Sequence, residues 1–195
     1  MYGFRVLTVL LTLCCISHGA LGQGFEKYRK VTEYDRHFRK YSKRFFGVGF
    51  DWQYFKAQAV AESNLNPDAK SYVGARGIMQ LMPATFSEVS EKSDIIAGTL
   101  DEPRWNIAAG IWYNKHQFDY WQKGRSLEER LKFMYGSYNA GRMNLRKAQR
   151  EALDLGLNPL VWESMYQALP PVTGKHSTET LNYVERIFEI KEAIK

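Results

Sequence analysis

The chain is poor in cysteine. It has two, Cys14 and Cys15, and both lie in one apolar run near the amino terminus. That run, Arg5 to Ile16, sits behind a single positive charge and is too short to cross a bilayer as a helix. Ala20-Leu21-Gly22 then offers small residues where a signal peptidase reads, so residues 1–22 are expected to be a secretory signal peptide cut after Gly22. A lipoprotein signal competes, because the cysteines lie close by. Leu13 is bulkier than the residue such signals carry there, and neither cysteine ends the run. Once the segment is removed, no cysteine remains. Disulfides, thiolate nucleophiles and thiolate metal ligands are then excluded, and stability has to come from packing. No transmembrane span is expected in the mature chain.

Other signals are missing too. The histidines beyond the signal are His37, His116 and His176, and none pairs with another at the spacing of a zinc or haem site. There is no glycine-rich phosphate loop behind a strand, no Ser-His-Asp spacing and no nucleic-acid motif. No metal, cofactor or nucleic-acid partner is therefore expected. No stretch alternates with period two, no βαβ unit is visible, and there is no internal repeat. An all-α domain of about seven to nine helices remains.

What is present fits one globular domain. The 195 residues give enough chain for one sizeable core, and 45% hydrophobic with 25% charged residues is ordinary globular material. The formal charge is +6, or +5 without Arg5. A basic exported protein suits an anionic partner such as cell-wall polymer or anionic lipid. Tyr34, Phe38, Tyr41 and Phe45 form a helical stripe between basic residues, so residues 23–50 read as a basic helical extension. It either touches an anionic polymer or docks with a solvated charged face. Asp51 is a good cap for the next helix, Pro83 and Asn106 start others, and Ser126 with Glu129 forms a capping box. Gly141 ends that helix, and a last one runs from about Thr178 to Ile194.

The helix after Asp51 carries the one residue that points to chemistry. Phe55, Ala59 and Glu62 share a face, otherwise apolar, and Glu62 is its last member. Partial burial and the negative end of the helix dipole both favour a neutral carboxyl. A carboxylic acid protonated near neutral pH is what a general acid needs. A solvated glutamate in a last helical turn is the alternative. Gln80, between apolar neighbours, is either a hydrogen-bonded core amide or a ligand contact.

Five motifs resemble, in order and spacing, those of the family 1 lytic transglycosylases. They are Glu62-Ser63 with Ser71; Gly74-Ala75-Arg76-Gly77-Ile78-Met79-Gln80-Leu81-Met82-Pro83; Asn106-Ile107-Ala108-Ala109-Gly110; Tyr138-Asn139-Ala140-Gly141; and Glu179-Thr180-Leu181-Asn182-Tyr183-Val184. Within the family the resemblance is greatest to the catalytic domain of the membrane-bound F type. The resemblance implies a lysozyme-like (goose-type) helical domain with a glycan-binding groove over residues 51–195. It implies cleavage of the β-1,4 bond between N-acetylmuramic acid and N-acetylglucosamine in periplasmic peptidoglycan, leaving a 1,6-anhydromuramoyl end. Glu62 would be the sole acid/base. Ser71 and Tyr138 would sit near it, with Tyr138 hydrogen-bonding it. Gln80 and Asn139 would contact sugar amides or hydroxyls, and Met79 and Tyr183 would shape the groove. Gly136-Ser137 departs from the small apolar residues of the family and would loosen its helix turn. A goose-type muramidase or a silent peptidoglycan-binding module are the rival readings, and a second carboxylate in the groove would favour the muramidase.

Overall fold

A computed structural model describes residues 24–195; the expected signal peptide and both cysteines lie outside them. The described residues form α1 (Asp35–Phe46), α2 (Gln53–Ser63), α3 (Pro83–Lys92), α4 (Pro103–Tyr120), α5 (Leu127–Ala140), α6 (Arg142–Asp154), α7 (Met165–Ala168), α8 (Pro170–Thr173) and α9 (His176–Ala193). Two 3₁₀ turns, Glu26–Lys30 and Trp162–Ser164, complete them. Among these residues the only β pairing is a pair of isolated bridges, Lys70 to Arg76 and Arg76 to Leu81. The expected all-α class is the one observed.

Local chemistry explains most helix ends. Pro83 and Pro103 each stand in the first turn, where a missing N–H costs nothing. Asp51 Oδ1 accepts from the Gln53 N–H at 3.0 Å ahead of α2. Ser126 Oγ accepts from the Glu129 N–H at 3.2 Å. The capping box is only half made, however. The Glu129 carboxylate reaches across to the Trp162 N–H at 2.5 Å, tying α5 to the following turn. Gly141 ends α5 at φ 83°, in the left-handed region that glycine tolerates. Asn106 is not a cap. Pro103 starts α4 earlier, which leaves Asn106 inside the helix and buried.

Helix α2 runs through the middle of the fold, packed on α9 along one side and on α1 along another. The expected amphipathic pattern is therefore absent: Phe55 to Val60 are all buried. The polar members are satisfied inside. Lys56 Nζ pairs with Asp35 at 2.8 Å and donates to the Val31 carbonyl at 2.7 Å. Phe46, Phe50, Phe55 and Phe118 stack into one cluster at the junction of α1, α2 and α4, with ring centroids 4.5–6.0 Å apart. Each buried ring of this kind contributes about 2 kcal/mol from apolar burial alone.

Helix α1 shows how its stripe divides. Phe38 and Tyr41 are fully buried against the core, while Arg36, Arg39, Lys40, Lys43 and Arg44 stay exposed. Arg104 of α4 donates to the Tyr41 hydroxyl at 3.0 Å. Gly136 and Ser137 do not loosen α5. A Cβ at Gly136 would lie 2.4 Å from Trp162, so glycine is what lets that indole pack. Ser137 Oγ accepts from the Trp121 indole N–H at 2.8 Å.

Candidate active site

Glu62 stands in the last turn of α2, where the chain leaves the core. Asn64 and Leu65 follow at φ 55° and 63°, and Gln80 has φ 45°. These are the only non-glycine residues of positive φ in the described chain, and they bracket the segment beside Glu62. Backbone strain of that kind survives where the surroundings over-determine it.

The surroundings here are a set of side-chain clamps on the loop 76–81. Ser63 Oγ donates to the Ile78 carbonyl at 2.8 Å. Tyr138 donates to the Met79 carbonyl at 2.7 Å. Asn106 takes the Met79 N–H at 2.7 Å and gives its amide protons to the Arg76 and Leu100 carbonyls at 2.9 and 3.1 Å. Gly77 makes room for that amide, since a Cβ there would lie 2.4 Å from it. Gln80 Nε2 donates to the carbonyls of Ala69 and Gly77 at 3.1 and 3.0 Å. Ser71 Oγ accepts from the Ala75 N–H at 2.9 Å and closes the neighbouring turn.

Several expected roles shift accordingly. Met79 is fully buried beside Gly110, so it packs the wall from behind and does not face a groove. Gln80 is the hydrogen-bonded amide, with both protons spent on backbone. Ser71 is a turn former. The tyrosine bonded to Glu62 is Tyr183, not Tyr138: the Tyr183 hydroxyl donates to Glu62 Oε1 at 2.5 Å. Tyr138 lies within electrostatic range of Glu62, but its proton goes to Met79. Asn139 is exposed, and its Oδ1 accepts from Thr180 at 2.7 Å, joining the end of α5 to α9.

Burial dominates the electrostatics. Desolvation pushes the Glu62 carboxyl up from 4.5 to about 8; the Tyr183 hydrogen bond opposes this, and the charge of Glu179 adds to it. Burial also holds the Tyr138 and Tyr183 hydroxyls well above their ordinary range, so both stay protonated donors. Glu179 is exposed and faces a cavity of about 370 Å³, with Asn139, Asn144, Val172, His176 and Thr180. Glu62 does not line that cavity; Glu179 is the carboxylate whose charge reaches it. Sequence reasoning quoted Glu179 in a motif and gave it no role. Gln58, four residues before Glu62 on the same helical face, was also passed over. Its Nε2 donates to the Tyr183 hydroxyl at 3.0 Å, and the i to i+4 spacing was the available signal. Among the described residues no cluster of three His, Cys, Asp or Glu could hold a metal ion.

The sequence profile of the transglycosylase SLT domain matches residues 39–159, more than half of the chain. The chain belongs to the transglycosylase SLT domain family. The match starts inside α1. Among relatives of this SLT domain is membrane-bound lytic murein transglycosylase F of Desulfosudis oleivorans, 32% identical over 163 residues, covering 75% of this chain and 34% of the relative. The protein of the same name from Vibrio cholerae is 30% identical over 168 residues, covering 80% and 30%. The chain thus spans about a third of the length of these relatives. In three dimensions the SLT domain superposes on an inactive mutant of lytic transglycosylase Slt from Pseudomonas aeruginosa with a TM-score of 0.65 at 23% identity, covering 82% of this chain and 23% of that one. For the 70 kDa soluble lytic transglycosylase of Escherichia coli the TM-score is 0.60 at 25% identity, covering 84% and 24%. The fold of the SLT domain is therefore the lysozyme-like helical one. No helix of the described residues is long and apolar enough to cross a membrane.

Proposed function

We propose that this SLT domain is a peptidoglycan lytic transglycosylase, cleaving the β-1,4 bond between N-acetylmuramic acid and N-acetylglucosamine. The observation that carries the reading is Glu62: a carboxyl at a helix end, lifted to about 8 by burial, with a tyrosine hydroxyl on one oxygen. At neutral pH it is mostly protonated and can give its proton to the glycosidic oxygen as the bond to the muramoyl anomeric carbon breaks. The carboxylate left behind takes the proton of the muramoyl 6-hydroxyl, whose oxygen closes on that carbon. Atoms balance without water, and the acid is regenerated. The nucleophile is tethered to the sugar, which supplies the proximity a second protein carboxylate would otherwise provide. Glu62 is the catalytic residue of this reading, with Tyr183 its hydrogen-bond partner. Asn139 is the exposed polar group assigned to substrate, and Ser71, Gln80, Met79 and Tyr138 hold the wall. Residues 1–22 act as the export signal to the periplasm, and 51–195 carry the catalysis.

Glu179 favours one second reading, a muramidase that activates water with two carboxylates. Digestion of purified sacculi followed by mass spectrometry separates the two. Anhydromuramoyl ends that vanish in Glu62→Gln support the lyase. Reducing ends, lost in both Glu62→Gln and Glu179→Gln, support the hydrolase.

A further inference from the structure

Behind the Glu62–Tyr183 pair lies a hydrogen-bond chain that the reaction scheme does not use. Gln58 and Asn114 are both completely buried, one on α2 and the other on α4. Asn114 Nδ2 donates to Gln58 Oε1 at 2.6 Å. Gln58 Nε2 donates to the Tyr183 hydroxyl at 3.0 Å, and that hydroxyl donates to Glu62 Oε1 at 2.5 Å. Four side chains from three helices thus form one directed line ending on the carboxyl.

The direction is set by proton counting. A phenol has one proton, and an amide has a donor end and an acceptor end. Asn114 holds the acceptor end of Gln58, so the donor end faces Tyr183. Tyr183 accepts there and has its own proton only for Glu62. The reverse direction would need both amides turned over, and it is impossible whenever Glu62 is ionised, because a carboxylate has nothing to donate.

We propose that Gln58 and Asn114 are positioning residues that fix the Tyr183 hydroxyl as a donor to Glu62 Oε1, so that the proton of the neutral acid resides on Oε2. The inference rests on the acid/base reading of Glu62 given above. Oε2 has no hydrogen bond among the described residues, so the proton sits on the oxygen free to meet substrate. The other groups that act on Glu62 do not set this direction. Tyr138, from α5, spends its proton on the Met79 carbonyl, and Glu179, from α9, acts only through its charge. With the chain in place, each return of the proton to Glu62 is directed to the same oxygen, and no rotation of the carboxyl is needed between turnovers.

The test uses Gln58→Met, Asn114→Leu and the double variant on purified sacculi, with anhydro ends as the readout. Each single variant is expected to lower kcat by about 5- to 20-fold with KM unchanged, since neither residue can touch substrate. The alkaline limb of the pH profile moves upward in each, because a freed Tyr183 proton supports the Glu62 carboxylate less well. The double variant strands no amide, so it regains thermal stability while the rate stays low. A purely structural role predicts the opposite, recovery of rate together with stability. Carboxyl carbon NMR titration of Glu62 in resting Asn114→Leu gives a readout free of turnover, and an upward shift is expected. Folded single variants with parental kcat and parental titration would overturn the inference. If the parent itself produces no anhydro ends, the proposed function fails, and the titration still decides whether the chain acts on Glu62.

Discussion

Helix α2 carries two desolvated ionisable groups six residues apart, Lys56 fully buried and Glu62 half-buried, and the fold treats them in opposite ways. Lys56 meets Asp35 at 2.8 Å and a backbone carbonyl at 2.7 Å, so its charge is matched on the spot. Glu62 meets no cation among the described residues. The groups that act on it are a tyrosine hydroxyl and a second carboxylate, Glu179. A buried charge that is paired keeps its charge and ties helices together. A buried carboxyl left without a cation gives up its charge and holds a proton that can be used. One helix thus serves as a strut at its first turns and, in the proposed function, as an acid at its last.

The comparison is broken most forcefully at Glu62 itself. Glu62→Gln keeps the shape and the Tyr183 bond but removes the proton cycle, and release of soluble muropeptides from sacculi should fall by at least about 10³-fold. At the other end, Lys56→Met strands Asp35 without its partner. Urea unfolding should show a loss of about 3–4 kcal/mol, the scale of a broken buried pair, with no change in the pH profile of activity.

The same Glu62→Gln variant should gain stability where Lys56→Met loses it. Glu62 titrates at about 8 in the folded chain against 4.5 ordinarily, so between these values the folded state holds a proton that the unfolded state has released. Stability from this group is therefore intact below about pH 4.5 and falls as pH rises toward 8. Discounting for its partial exposure, the variant should exceed the parent by about 1–3 kcal/mol at pH 8 and match it near pH 4, in paired urea titrations. A constant offset at both pH values would show that Glu62 is not carrying a shifted proton. The smallest effect belongs to Tyr183→Phe. Losing the hydroxyl removes the one contact that favours the charged form, so the alkaline limb of activity should move upward while the rate drops about 10-fold.

How much of this was legible in the sequence depended on how local the cause was. Pro83, Ser126 and Gly141 act on the chain within a few residues of themselves, and each marks a boundary where expected. Asn106 looked like a cap by residue type, yet its partners are Arg76, Met79 and Leu100, which only tertiary packing brings to it. The local pattern placed Glu62 on an apolar face in a last helical turn but left a solvated glutamate open; its expected role came from the resemblance of the five motifs. Which tyrosine bonds it was not legible. Tyr138 and Tyr183 lie 76 and 121 residues beyond Glu62 along the chain, and the choice depends on how α5 and α9 lie against α2. Through the resemblance, Gln80 was expected to contact sugar and Met79 to shape the groove. Gln80 instead gives its amide protons to the Ala69 and Gly77 carbonyls, and Met79 is buried beside Gly110. Gly136 seemed a weakness and is a seat for Trp162, a contact 26 residues ahead that no local rule reveals.

The clamps on residues 76–81 have a consequence for hydrogen exchange. The Met79 amide lies in no helix, yet it is buried against an Asn106 side chain that is itself 1% exposed. Its exchange should be as slow as that of the α2 amides, because releasing it means unpacking α4. The neighbouring turn is the opposite, with Tyr72 fully exposed at its tip. Protection should therefore change from slow to fast within the few residues between Met79 and Tyr72. The wall beside Glu62 would then be a fixed surface against which a substrate aligns.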